Sequence, residues 1–110
     1  MRFVATLILA GSLLTGQTNY SLIKGTVFAA QGRRVQGAKV VIVRNDVDAK
    51  LQKKSRKEIL SDRNGEFAFR MDVGPAKFRL TAEVKGLQTA EREIEVSGDE
   101  RVDVSVVLKN

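Results

Sequence analysis

The 110-residue chain contains no Cys, no His and no Trp, one Pro, and only 5% aromatic residues. Without Cys there is no disulfide, no thiolate nucleophile and no thiolate metal ligand. Without His the commonest metal ligand and the usual general base near neutral pH are both missing. Carboxylates, Lys, Ser, Thr and a single Tyr are left to carry any chemistry. No catalytic residue, bound metal or cofactor is therefore expected, and the sequence reads as that of a non-enzyme. A stock of one Tyr and five Phe also leaves few rings to spare for stacking on a ligand.

Hydrophobic residues make up 43% of the chain, enough for a packed core, and the length suits one domain. Lys and Arg number 19 against 13 Asp and Glu, a formal charge of +6. That balance favours anionic partners without naming one.

The single long apolar run lies at the start. Arg2 is followed by an uncharged stretch from Phe3 to Leu14 and then by small and polar residues. This is the three-part pattern of a secretory signal, and it is shorter than the ~20 residues a membrane span needs. Residues 1–16 are therefore expected to be a signal peptide cleaved after Gly16, and residues 17–110 a single exported domain, periplasmic or secreted. No membrane span is expected after cleavage.

From Ser21 onward the pattern has period two, broken by turns. Ile23, Gly25 and Val27 alternate with Lys24 and Thr26. The run from Ala38 to Val43 is apolar on both faces in part, as in a central strand. A weaker strand spans Ser55 to Ser61. Asp62-Arg63-Asn64-Gly65 follows, and Asn-Gly is a strong signal for a type I′ hairpin turn leading into Phe67 and Phe69. Three further alternating runs centre on Phe78–Val84, Ile94–Val96 and Val102–Val106. About seven short strands at such spacing predict an all-β sandwich. Lys50 to Leu60 contains good helix formers. A loop and strand is nevertheless the expectation there, because Glu66–Met71 needs a hairpin partner.

Several segments are more specific. They are Ile23-Lys24-Gly25-Thr26-Val27, Gly32 with Val35-Gln36-Gly37-Ala38-Lys39-Val40, Ser61-Asp62-Arg63-Asn64-Gly65-Glu66-Phe67 with Phe69, and Val73-Gly74-Pro75-Ala76-Lys77-Phe78-Arg79-Leu80-Thr81-Ala82 followed by Lys85-Gly86-Leu87. In this order they resemble the bacterial carboxypeptidase regulatory-like domain, relative to the transthyretin-like and collagen-adhesin B-type sandwiches. The chain departs from that pattern at Val35, where the family usually has Pro, and in the basic stretch Lys50–Lys57. The resemblance implies a seven-stranded antiparallel β-sandwich of prealbumin-like or Ig-like Greek-key type. It also implies a non-catalytic accessory module that binds or scaffolds another cell-envelope component. A carbohydrate-binding module of the same general fold is the alternative, by fold analogy alone.

Lys50, Lys53, Lys54, Arg56 and Lys57 form the densest run of charge, the candidate contact for an anionic surface. The expected partner is an envelope protein or an anionic polysaccharide. Nucleic acid is not expected, since export removes it and no aromatic interleaves the bases. Asp62-x-Asn64-Gly65-Glu66 resembles part of a calcium loop, but the place of the bidentate Glu is taken by Val73. Glu91, Glu93, Glu95 and Asp99 are expected on one outward face, converging on no common point. A Lys24–Asn110 isopeptide bond is not expected, because the alternation turns Lys24 to solvent.

Overall fold

In a computed structural model, residues 20–72 and 74–110 are described. The expected signal segment, residues 1–16, lies outside them. Among the described residues seven strands form two sheets: β1 (Ser21–Phe28), β2 (Lys39–Arg44), β3 (Lys57–Leu60), β4 (Glu66–Met71), β5 (Ala76–Glu83), β6 (Ala90–Val96) and β7 (Arg101–Val107). One sheet has the order β4-β1-β7 and the other β3-β2-β5-β6. The helix α1 (Ala49–Ser55) joins β2 to β3, and a 3-10 turn (Ala30–Gly32) follows β1.

The sandwich is the consequence of period two. In β1 every second residue from Ser21 is buried, which puts Ile23, Gly25 and Val27 inward. The same alternation turns Val40 and Ile42 inward from β2, Phe78, Leu80 and Ala82 from β5, and Ile94 and Val96 from β6. Phe67, Phe69 and Met71 complete the core from β4, and Val106 and Leu108 close its last corner. Burying each large side chain contributes roughly 1.5–3 kcal/mol.

Two sequence expectations are corrected. The first concerns Asn64-Gly65. Gly65 has φ +76°, but Asn64 keeps a negative φ, so the type I′ turn does not form. Instead Asp62 Oδ1 accepts from the backbone N–H of Asn64 and of Glu66, both at 2.9 Å. Gly65 N–H donates to Asp62 O. A Cβ on Gly65 would lie 2.9 Å from Val27 O, so both the turn and the approach of β1 need glycine. The strands that flank this turn then part: β3 pairs with β2, and β4 pairs with β1 in the other sheet. The second correction concerns direction. Four ladders are antiparallel as expected, but β1 and β7 run parallel, Leu22 opposite Arg101 through to Phe28 opposite Val107. Chain reversal can be read locally from turns. A parallel pair closes the two ends of the chain on each other and has no turn to announce it.

Both open sides of the sandwich are guarded in the same way. Lys57 Nζ of β3 donates to Arg70 O on the edge of β4 at 2.7 Å, and Arg92 of β6 donates to Ser105 O on the edge of β7 at 2.7 Å. A base from one sheet thus occupies an edge carbonyl of the other, which blunts pairing with a foreign strand.

Two buried serines make a test of the polar accounting. Ser61 Oγ accepts from Ala38 N–H at 2.9 Å and donates to Val35 O at 2.6 Å, tying the loop before β2 to the end of β3. Ser21 Oγ is equally buried and has no partner among the described residues. Ser61→Ala should cost about 1–3 kcal/mol, because it strands a buried N–H. Ser21→Ala should leave stability unchanged or raise it by up to about 1 kcal/mol. Urea unfolding of both variants checks the pair, and equal losses at the two sites would contradict this assignment.

Candidate functional site

The five bases singled out in the sequence fall on three different local structures. Lys50, Lys53 and Lys54 lie in α1, where a loop was expected. The helix forms because Asp48 caps it: its Oδ1 accepts from Leu51 N–H at 3.0 Å. Ala49 and Leu51 favour the helical backbone, and Lys53 and Lys54 in the last turn complement the negative end of the helix dipole. Ser55 ends it and fastens it, since its hydroxyl donates to Gln52 O at 2.9 Å and accepts from Arg44 N–H of β2 at 3.1 Å. The hairpin argument that favoured a loop failed because Glu66–Met71 takes β1, not β3, as its partner.

Spacings of three and four residues put Lys50, Lys53 and Lys54 on one side of the helix. Gln52 and Ser55, on the other side, are part-buried against β2, and the three lysines are exposed. None of the three meets a carboxylate within 4 Å among the described residues. Arg56 and Lys57 are not part of this group. Arg56 is paired with Glu58 at 2.9 Å, and Lys57 reaches the Arg70 carbonyl across the sandwich seam. The candidate contact therefore divides: three free lysines on a helix, one neutralised arginine and one edge guard.

The acidic strand β6 lies beside bases of β5. Register places Lys77 opposite Glu95 and Arg79 opposite Glu93, and Arg79 meets Glu91 at 3.6 Å. Asn45 Nδ2 donates to Glu93 at 2.5 Å. Among the described residues there is no cluster of three or more His, Cys, Asp or Glu that would hold a metal, and no helix is long and apolar enough to cross a membrane. Tyr20, 39% exposed, carries the Arg70 guanidinium 4.3 Å above its ring centre. Phe28 is half-buried.

Beside α1, Asp46 is held by the Arg44 guanidinium through two hydrogen bonds of 2.9 and 3.0 Å, and its carboxylate also accepts from Lys77 N–H. The Arg44 hydrogen bond lowers the Asp46 pKa below the ordinary 3.8. A depressed folded-state pKa contributes stability above the ordinary value, and that contribution is lost as pH falls through the folded value. Asp46→Asn should therefore flatten part of the fall in melting temperature between about pH 5 and about pH 2. Parallel acid limbs for the two proteins would show that the pair does not couple to folding.

Taken together these features define a small two-sheet sandwich whose distinguishing marks are charged surface elements. Its sequence matches the model of the carboxypeptidase regulatory-like domain over residues 22–109. The chain belongs to that family. No curated protein is detectably similar in sequence. Among solved structures, catechol 1,2-dioxygenase of Acinetobacter radioresistens is 12% identical with a TM-score of 0.64, covering 86% of this chain and 53% of the enzyme. The mercury-inhibited catechol 1,2-dioxygenase of Acinetobacter sp. ADP1 is 13% identical, TM-score 0.65, covering 87% and 54%. The dioxygenase domain of a dioxygenase carbohydrate-binding protein fusion from Streptomyces sp. SirexAA-E is 14% identical, TM-score 0.65, covering 86% and 84%. The chain spans about half the length of the two Acinetobacter enzymes. At such identities the likeness is one of fold.

Proposed function

We propose that the chain is a non-catalytic module that works outside the cytoplasm and binds or scaffolds another component of the cell envelope through α1. The observation that carries this reading is the shared solvent face of Lys50, Lys53 and Lys54, with no carboxylate within 4 Å among the described residues. Three uncompensated ammonium groups on one short helix add their fields and favour an anionic partner, an acidic polysaccharide or an acidic envelope protein. The absence of His and Cys from the sequence supports a binding role over a catalytic one. The position of Arg70 over Tyr20 counts against sugar stacking on that ring.

Changing Lys50, Lys53 and Lys54 together to Gln should abolish low-salt retention on an acidic polysaccharide resin. Arg56→Gln, already neutralised by Glu58, should change it little. Parent retention should fall steeply as salt passes ~0.1 M, where charges are screened over ~10 Å. Retention by the triple variant equal to the parent would remove α1 from the reading. The extracytoplasmic assignment rests on residues 1–16 and is tested by N-terminal sequencing of the exported form. Gln17 is the expected first residue, and an intact Met1 on protein outside the cytoplasm would refute cleavage.

A further inference from the structure

The arginines of the described residues divide into two groups. Arg44, Arg56, Arg70, Arg79 and Arg101 each meet a carboxylate, four of them two residues further along the chain. Arg92 is spent on the Ser105 carbonyl. Arg33, Arg34 and Arg63 remain. All three are exposed, and none meets a carboxylate within 4 Å among the described residues. Arg63 is some thirty residues from the adjacent Arg33 and Arg34, yet the fold brings the three to one apex.

Backbone bonds fix that apex. Ala29 N–H donates to Arg33 O at 2.7 Å, Val35 N–H to Val27 O at 3.0 Å, and Val27 N–H to Gly65 O at 2.8 Å. The loop carrying Arg33 and Arg34 is thereby laced to the end of β1, and the end of β1 to the turn carrying Arg63. Arg34 Cβ lies 3.3 Å from where a Cβ on Gly65 would stand. Two carboxylates are near, and neither neutralises the group. Asp62 Oδ1 is committed to two backbone N–H groups of its own turn, and Glu66 faces Thr26 in the next row of the sheet. The apex is at the far end of β2 from α1, roughly 17 Å along a strand of this length. It is a separate charged surface.

Beside the arginines lies an apolar strip. Arg34 bridges to Phe28, and Phe28 stands opposite Val107, which is 50% exposed. A guanidinium, a half-buried ring and an exposed isopropyl group thus share one row on the outer face of the three-stranded sheet.

We infer that this apex is a docking site for an acidic polypeptide segment, whose Asp or Glu carboxylates pair with Arg33, Arg34 and Arg63 while an apolar side chain covers Phe28 and Val107. Charge complementarity selects the anion. The planar, five-donor guanidinium selects carboxylate geometry over a diffuse field. The neighbouring apolar strip selects a peptide, which offers both kinds of group, over a uniformly polar polymer.

The test presents the chain, residues 17–110, with an array of short peptides that combine Asp or Glu with Leu, beside matched Asn and Gln versions. Binding is read by fluorescence anisotropy. Acidic peptides should bind and amide versions should not. Changing Arg33, Arg34 and Arg63 to Lys keeps the charge but removes the fork, and should weaken binding by on the order of tenfold or more. Val107→Ser should weaken peptide binding several-fold, and the Lys50, Lys53, Lys54 variant should bind as the parent does. Thermal melts confirm that each variant folds. Equal binding of acidic and amide peptides would overturn the proposal, and so would an unchanged affinity of the Arg→Lys variant. Binding of alginate or phosphatidylglycerol vesicles as tight as that of any peptide, and indifferent to Val107→Ser, would assign the apex to a polyanion or a lipid surface and overturn it also.

Discussion

Phe67→Ala is expected to remove a large share of the stability of the domain, about 3–5 kcal/mol out of the ~5–15 kcal/mol typical of a single domain. Phe67 is 3% exposed and packs its ring 6.0 Å from that of Phe69 at an interplanar angle of 57°, the tilted arrangement that aromatic pairs prefer. It also fills the space over Gly25, the residue opposite it in the β1–β4 ladder, which has no side chain of its own. Truncation therefore empties a volume that no neighbour can refill by rotating: Gly25 has nothing to offer, and Phe69 is held by its own burial. At ~4–8 °C per kcal/mol for a domain of this size, the melting temperature should fall by well over ten degrees. Phe69→Ala should cost somewhat less, because no glycine lies beneath its ring. A melt within a couple of degrees of the parent for Phe67→Ala would mean that the inward register of β4 is wrong.

The inward register of β4 is also the clearest case of what the amino-acid pattern made legible. Phe67 and Phe69 alternate with Ala68 and Arg70, and period two has only two ways to lie. The same logic located β1, β5, β6 and β7 to within a few residues, since each alternates against charged or small polar side chains. It could not say which strand pairs with which. β3 and β4 flank a tight turn in sequence, and proximity argued for a hairpin. In the fold they belong to different sheets, because Ser61 ties the end of β3 to the loop before β2 and Gly65 admits the end of β1. Those contacts span 23 residues or more, and no local period encodes them.

The candidate surfaces follow the same division. Lys50, Lys53 and Lys54 are close in sequence, so a count of charges found them. Their common face was invisible until Asp48 was seen to cap a helix, and the sequence signal for it (Asp48 three residues before Leu51 and followed by Ala49) was present but outweighed by the hairpin argument. Arg33 and Arg34 are some thirty residues from Arg63, and only the backbone lacing at the apex makes one group of them. Charge runs are a one-dimensional signal. Which charges are left unpaired is a three-dimensional one: of the four arginines that meet an acid two residues on, Arg101 alone shares a strand with its partner, where the pleat puts both on one face, and the other three pair across a strand end.

Gly25→Ala should be nearly as damaging as the loss of the Phe67 ring, from the opposite cause. An added Cβ would lie 2.5 Å from Phe67 Cζ, 2.9 Å from Phe67 Cε2 and 2.5 Å from the backbone oxygen of Val104. The first two obstructions belong to a side chain that is itself buried. The third is main chain, in the parallel strand β7 that pairs with β1. The ring can yield only by leaving its place against the core, and the carbonyl only by opening the ladder that joins the two ends of the domain. Overpacking of this kind costs about 1–3 kcal/mol, and the upper end is expected here because two independent elements must move. The double variant separates them. In Gly25→Ala, Phe67→Ala the methyl group meets no ring, so the cost of the double variant should fall short of the sum of the two single costs by on the order of 1 kcal/mol, a coupling of the size seen between residues in contact. The Val104 carbonyl is still in place, so Gly25→Ala should remain destabilising even in the Phe67→Ala background. Chemical denaturation of the four proteins measures both terms. If Gly25→Ala became neutral once the ring was gone, the ring alone would account for the glycine and the close approach of β7 would not. Strict additivity would instead mean that the ring does not lie over Gly25 at all.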